Sequence, residues 1–191
     1  GETSYGLLST QKVGPTVAAD IKISAIWAIL LSLVVIGLYI LMRFRDFGFS
    51  IGTIVALIHD TLFIFGIYSI FSSILPFSLE IDQTFIAAIL TIIGYSVNDT
   101  VVIFDRIREN VGLYPKRDKK SLFNISLNST LGRTFSTSLS TILTVLAMFI
   151  FGGETIRGFL FAMLVGMIVG IYSTLYIATP IAYEIVHKRE E

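Results

Sequence analysis

At 191 residues, 54% of them hydrophobic and only 15% charged, with a mean hydropathy of +0.81, the chain is too apolar to be a soluble domain. Its formal net charge is zero, which excludes a nucleic-acid binder held by phosphate neutralisation. It has no cysteine and two histidines, which exclude disulfides and a zinc or thiolate site.

The chain opens Gly1-Glu2-Thr3 without Met and reads as a segment of a longer protein. Residues 1–19 are a polar lead-in that reaches the turn signal Gly14-Pro15, with no signal-peptide pattern. A first apolar span is expected over 19–42, closed by Arg43, Arg45 and Asp46. A second covers 47–73 and is interrupted by His59-Asp60. After Pro76, Glu80 and Asp82 comes a third, 83–104, then a loop over 105–124 in which Ser121 is the expected helix N-cap. The fourth span, 125–151, carries Arg133, and Gly152-Gly153 turns the chain into the fifth, 155–186. That last run is longer than a bilayer needs and contains Pro180, which predicts a tilt or kink. Residues 187–191 are a charged tail. About 20 residues at about 1.5 Å each cross a hydrocarbon core of about 30 Å, so the expected fold is all-α: a polytopic bundle of five transmembrane helices occupying 20–186.

Charge placement orients it. Arg43, Arg45, Arg106, Arg108, Lys116, Arg117, Lys119, Lys120, Lys188 and Arg189 fall on one side, and only Lys12, Lys22 and Arg157 on the other. Positive-inside asymmetry puts the C-terminus in the cytoplasm and the N-terminus outside.

Four ionisable residues lie within spans: His59, Asp60, Asp99 and Arg133. Asp99 precedes Asp105 by six residues, about 9 Å inside the charged end, and Arg133 lies at a similar depth on the next, antiparallel span. An Asp99–Arg133 ion pair is therefore available and offsets the cost of burying either charge. A static pair that fixes helix packing and a pair that breaks when Asp99 is protonated are both open. In the second case Asp99 is the switch, because Arg does not release its proton. Arg133, Thr137, Ser140, Thr141 and Thr144 form one stripe that either holds water or makes ordinary interhelical hydrogen bonds. On the third span, Thr91, Tyr95, Asn98, Asp99 and Val102 share a face. His59 and Asp60 diverge by about 100° on their helix. Asp60 reads as a second relay or gating group, and His59 as either packing or support. Gly158, Ala162, Gly166, Gly170 and Thr174 recur every fourth residue, a pattern that admits close helix packing. No nucleotide loop, metal motif or nucleophile–base set is present, so neither an enzyme nor a cofactor is expected.

The run from Gly94-Tyr95-Ser96-Val97-Asn98-Asp99-Thr100 through Val101-Val102-Ile103-Phe104-Asp105-Arg106-Ile107-Arg108-Glu109 resembles the signature of the SecF family of bacterial protein-export proteins. So do Val13-Gly14-Pro15-Thr16-Val17, Ala56-Leu57-Ile58-His59-Asp60 and Thr130-Leu131-Gly132-Arg133-Thr134 with Thr137-Ser138. The resemblance implies membership of the resistance-nodulation-division superfamily and one half of its pseudo-symmetric bundle. The other half would come from SecD or from the SecD part of a fused chain. It also implies the bacterial inner membrane, a periplasmic segment before the first span, and proton flow that assists preprotein translocation by SecYEG and SecA. By motif, Asp99 and Arg133 match residues implicated in proton conduction, with Asp60 a further candidate and Asn98, Thr137, Ser140, Thr141 and His59 as polar support. The rivals are a proton-coupled exporter of small amphiphiles and a non-conducting scaffold for SecD.

Overall fold

The computed structural model describes residues 15–188, with side chains from Asp20 onward; the lead-in over 1–14 and the tail residues Arg189, Glu190 and Glu191 lie outside the described residues. Helix α1 spans Pro15–Phe44, α2 Phe47–Phe71, α3 Gln83–Leu113 and α4 Lys119–Phe151. The last span is broken into a 3-10 turn, Glu154–Ile156, then α5, Arg157–Ser173, a π-helical turn, Thr174–Ala178, and α6, Thr179–His187. Helices α1 to α4, and the broken last span taken as Glu154–His187, are each long and apolar enough to cross a membrane, five spans in all.

Carboxylates start three of the helices. Asp46 accepts from the Gly48 N–H at 2.6 Å, Asp82 from Phe85 at 2.8 Å and Asp118 from Ser121 at 2.9 Å, each meeting a backbone donor that the first turn leaves unpaired. Asp118 thus takes the capping role expected of Ser121, and α4 begins at Lys119. Helix α3 likewise runs on to Leu113, beyond the apolar stretch that marks its membrane part. Between α1 and α2 the chain reverses through Arg45, whose φ of 56° is the left-handed conformation that ends helices.

Near the charged end of the last span the irregularity sits just ahead of Pro180 rather than at it. Proline has no N–H to continue the helical ladder, and the backbone widens into π geometry over the preceding residues. Thr179 Oγ1 donates to the Thr174 carbonyl at 2.8 Å and steadies the widened turn.

Helix α3 is central, packed against α1, α2, α4 and α5. The small-residue ladder of α5 faces it: a Cβ on Gly166 would meet the Ile92 side chain at 2.5 Å, and one on Gly170 would touch Ser96 at 3.4 Å. Two apolar clusters result. One contains Phe85, Ile89 and Ile92 with Leu160 and Met167; the other holds Ile103, Phe104 and Ile107 with Phe49, Phe123, Ala178 and Ala182. Between the clusters, α3 and the last span bury Ser96, Asp99, Thr100, Ser173 and Thr174.

Helix α2 approaches α6 backbone to backbone. A Cβ on Gly52 would overlap the Ala178 carbonyl oxygen, whereas Gly66 on the same helix has open space around it. Gly52→Ala is expected to destabilise the fold by about 1–3 kcal/mol, and Gly66→Ala to be neutral or stabilising by up to about 1 kcal/mol. Reversible unfolding in detergent micelles checks both; equal effects at the two positions contradict the packing described.

Candidate functional site

The polar layer between the clusters is built around two carboxylates. Asp60, on α2, is 1% exposed. Its Oδ2 accepts from Ser173 Oγ of α5 at 2.8 Å and from Ser96 Oγ of α3 at 3.0 Å, and its Oδ1 lies 3.2 Å from His59 Nδ1. Three helices are thereby tied to one side chain. His59 and Asp60, expected to diverge, nonetheless meet at that one contact. The ring is half-buried near Phe63 and Tyr172, with centroids 6.0 and 6.1 Å away. One turn toward the basic end, Thr100 Oγ1 and Thr174 Oγ1 share a hydrogen bond of 3.0 Å, joining α3 to the π-helical turn.

Asp99 is 4% exposed and accepts one side-chain hydrogen bond, from Ser138 Oγ of α4 at 3.1 Å. Arg133 acts on it electrostatically, yet no ion pair joins the two among the described residues. The expected contact pair is corrected on that point. Matching depth was not enough, because Arg133 points away from the α3–α4 seam and is exposed.

The expected polar support divides the same way. Asn98 and Thr91 are exposed on α3, as are Thr137, Ser140 and Thr144 on α4, with Thr141 half-buried. Thr137, Ser140, Thr141 and Thr144 return their hydroxyls to carbonyls of their own helix at 2.8–3.0 Å. They make an outward polar stripe beside Arg133 rather than a buried lining for Asp99. No group of three or more His, Cys, Asp and Glu side chains that could hold a metal occurs among the described residues.

Residues 2–188 match the family model described as protein export membrane protein SecD/SecF, C-terminal. The chain belongs to this family. It is 50% identical over 184 residues to the protein translocase subunit SecF of Rhodothermus marinus, covering 96% of this chain and 59% of that one. It is 40% identical to the SecF of Petrotoga mobilis, covering 100% and 61%, and 43% identical to that of Rhodobacter capsulatus, covering 90% and 50%. The chain therefore spans about half to three-fifths of the length of these relatives. Among solved structures, that of SecDF in its super-membrane-facing form superposes with a TM-score of 0.80 at 38% identity, covering 93% of this chain and 23% of that one.

Within this SecD/SecF-family chain, the residues that sequence reasoning missed are uncharged: Ser96, Ser138 and Ser173, which hold the carboxylates, with Thr100 and Thr174 between the helices. A signal existed for one of them. Ser126, Thr130, Thr134 and Ser138 recur every fourth residue beside the apolar Leu122 and Phe123, the pattern of a face turned inward. Ser173→Ala is expected to cost about 0.6–2 kcal/mol of bundle stability, the range of interhelical hydrogen bonds in membranes. Thr137→Ala, which loses only a bond within its own helix, is expected to cost less. Unfolding free energies in micelles compare the two, and an equal or reversed order contradicts the assignment of Ser173 as a tie between helices.

Proposed function

We propose that the chain is the SecF-type half of a proton-driven accessory to preprotein export, with Asp99 as the group that gains and loses the proton and Arg133 as the fixed counter-charge. The observation that carries this reading is the setting of Asp99: a buried carboxylate at mid-bundle with one side-chain donor, next to an open polar face on which an arginine sits. An ionisable group in such a place marks a pathway or relay rather than packing. Arginine stays charged throughout, so only the carboxylate cycles.

The exposed stripe of Thr91, Asn98, Arg133, Thr137 and Ser140 is the face for the second half-bundle, supplied by SecD or the SecD part of a fused chain; Gly94, with open space around it, lies on the same side. When that half closes over the stripe, Arg133 and Asp99 share one low-dielectric compartment and their attraction strengthens. Asp60, sequestered on the other side of α3, is a second relay group with His59 in support. The basic end faces the cytoplasm, the N-terminal end faces the periplasm, and the membrane is the bacterial inner membrane. Large apolar side chains of α1, Trp27, Leu31 and Val35 among them, contact lipid. Each proton crossing 100 mV delivers about 2.3 kcal/mol, which the complex applies to preproteins leaving SecYEG late in SecA-driven export. The names of the SecF relatives and the SecDF structure support this reading. It is a transport role, with no chemistry on a substrate and no cofactor.

The test is translocation driven by the proton-motive force in membranes that carry the full-length protein with SecD. Asp99→Asn is nearly isosteric and cannot cycle a proton; it is expected to abolish the stimulation by the force while protein level and SecD association stay normal. Unchanged stimulation rejects Asp99 as the carrier. The chain by itself, reconstituted in liposomes, is expected to conduct protons poorly because the face around Arg133 lacks its cover. Proton flux equal to that of the full complex contradicts this.

A further inference from the structure

The buried hydroxyls of α4 form a second row with no task so far. Ser126, Thr130, Thr134 and Ser138 stack along one edge of the helix at about 6 Å per step. All four are buried, at 0–7% exposure. At one end, Ser138 donates to Asp99. At the other, Ser126 Oγ receives a 2.7 Å hydrogen bond from Asn110 Nδ2, near the exposed Arg106–Glu109 ion pair at the basic end. Helices α3 and α4 are antiparallel neighbours, so the row runs through their seam from the basic end to the carboxylate.

Three members of the row have partners. Ser126 donates to the Leu122 carbonyl at 2.7 Å, Thr130 to the Ser126 and Leu127 carbonyls at 3.0 Å each, and Ser138 to Asp99. Thr134 differs. Its Oγ1 is buried and has no partner among the described residues, although the residue is only 2% exposed. A threonine within a helix ordinarily returns its hydroxyl to a carbonyl one turn back, as Thr130, Thr137 and Thr141 do. A buried hydroxyl without a partner is unfavourable unless a water completes it. The hydroxyls of the row do not bond one another, because Ser126 and Thr130 donate to main-chain carbonyls, so each step of about 6 Å takes a bridging water. Thr134 is the member of the four whose hydroxyl is uncommitted and placed to hold one.

We infer that the α3–α4 seam is the leg of the proton route between Asp99 and the basic end, a hydrated hydroxyl row in which Thr134 seats the relay water. This rests on Asp99 being the proton carrier. The transfer balances without any other reactant. Protons pass along the bridging waters, each water accepting one from below as it releases one above, while the hydroxyls hold the waters in line. Ser138 passes its hydroxyl proton to Asp99 Oδ2 and is refilled from the water, and rotation of the hydroxyls resets the row. The outward stripe on the opposite flank of α4 leads from Arg133 toward the other end of the bundle, so the two rows serve opposite sides of the membrane.

The experiment is proton flux under an imposed pH gradient, read by an entrapped pH dye, in proteoliposomes of the full-length protein with SecD. The variants are Thr134→Val, Thr134→Ser and Asp99→Asn. Thr134→Val keeps the shape and removes the hydroxyl, and it is expected to lower flux about tenfold or more, whereas Thr134→Ser keeps most of it. A purely structural role predicts the reverse pattern: deleting an unpaired buried hydroxyl leaves thermal stability equal or higher and flux untouched. Stability retained with flux lost supports the relay. Flux unchanged in Thr134→Val, with Asp99→Asn inactive, overturns the inference and leaves the proposed function standing. Normal flux in Asp99→Asn removes the proposed function itself, and the inference with it. If Thr134→Val does not assemble, Thr134→Ala replaces it as the hydroxyl-free member, and equal flux in Thr134→Ala and Thr134→Ser overturns the inference.

Discussion

The structure depends on keeping two carboxylates inside an apolar bundle. Leaving either without donors is costly in hydrocarbon, where no bulk water compensates. The fold answers with serine hydroxyls and an imidazole rather than with a lysine or arginine in contact. Asp60 has two hydroxyl donors and an imidazole, and Asp99 has one hydroxyl. These bonds and the apolar clusters above and below them agree on which faces of α2, α3, α4 and α5 turn inward. The difference in donor number matters. Asp60 is held from three helices and resembles a rivet; Asp99 is lightly held at the edge of an open face, where a change in its charge state disturbs few partners.

Helix α4 serves both sides of that arrangement. Its inward edge carries Ser126, Thr130, Thr134 and Ser138, and its outward flank carries Arg133, Thr137, Ser140 and Thr144. Hydroxyl side chains suit such a helix because they satisfy themselves on their own backbone when nothing else is offered. The outward flank therefore stays satisfied with nothing packed on it. The charge of Arg133 at the boundary gives α4 its asymmetry. It raises the electrostatic potential beside Asp99 without occupying the hydrogen-bonding position that Ser138 holds.

Much of this was legible in the sequence, because hydropathy marks the five spans and any charge within them stands out. Asp60, Asp99 and Arg133 were found that way, and the motif containing Asp99 pointed to the family that the comparisons then identified. Rotation about the helix axis was not legible. Arg133 and Ser138 are five residues apart, about 140° around α4, so if one faces Asp99 the other does not. Depth alone favoured the charged residue. The packing of Leu122, Phe123 and Val145 turns the serine inward instead. A lone serine gives no warning, since it is equally at home on a lipid-facing or a buried surface; only the four-residue repeat from Ser126 to Ser138 marks the inward face. The helix ends were misplaced for a related reason: apolar content stops where the membrane does, while α3 and α4 continue to the limits set by Tyr114 and Asp118.

The contact between Gly52 and Ala178 brings main chain against main chain, with no side chain between to bend or change rotamer. Such a joint is stiff. Because Ala178 closes the π-helical turn, the contact pins that end of the turn, and with it the start of α6, to the half of α2 near the basic end. The other end of the turn is held too, by Thr174 on Thr100 of α3 and by the neighbouring Ser173 on Asp60 of α2. The last span therefore cannot slide along α2 without disturbing the carboxylate that three helices share.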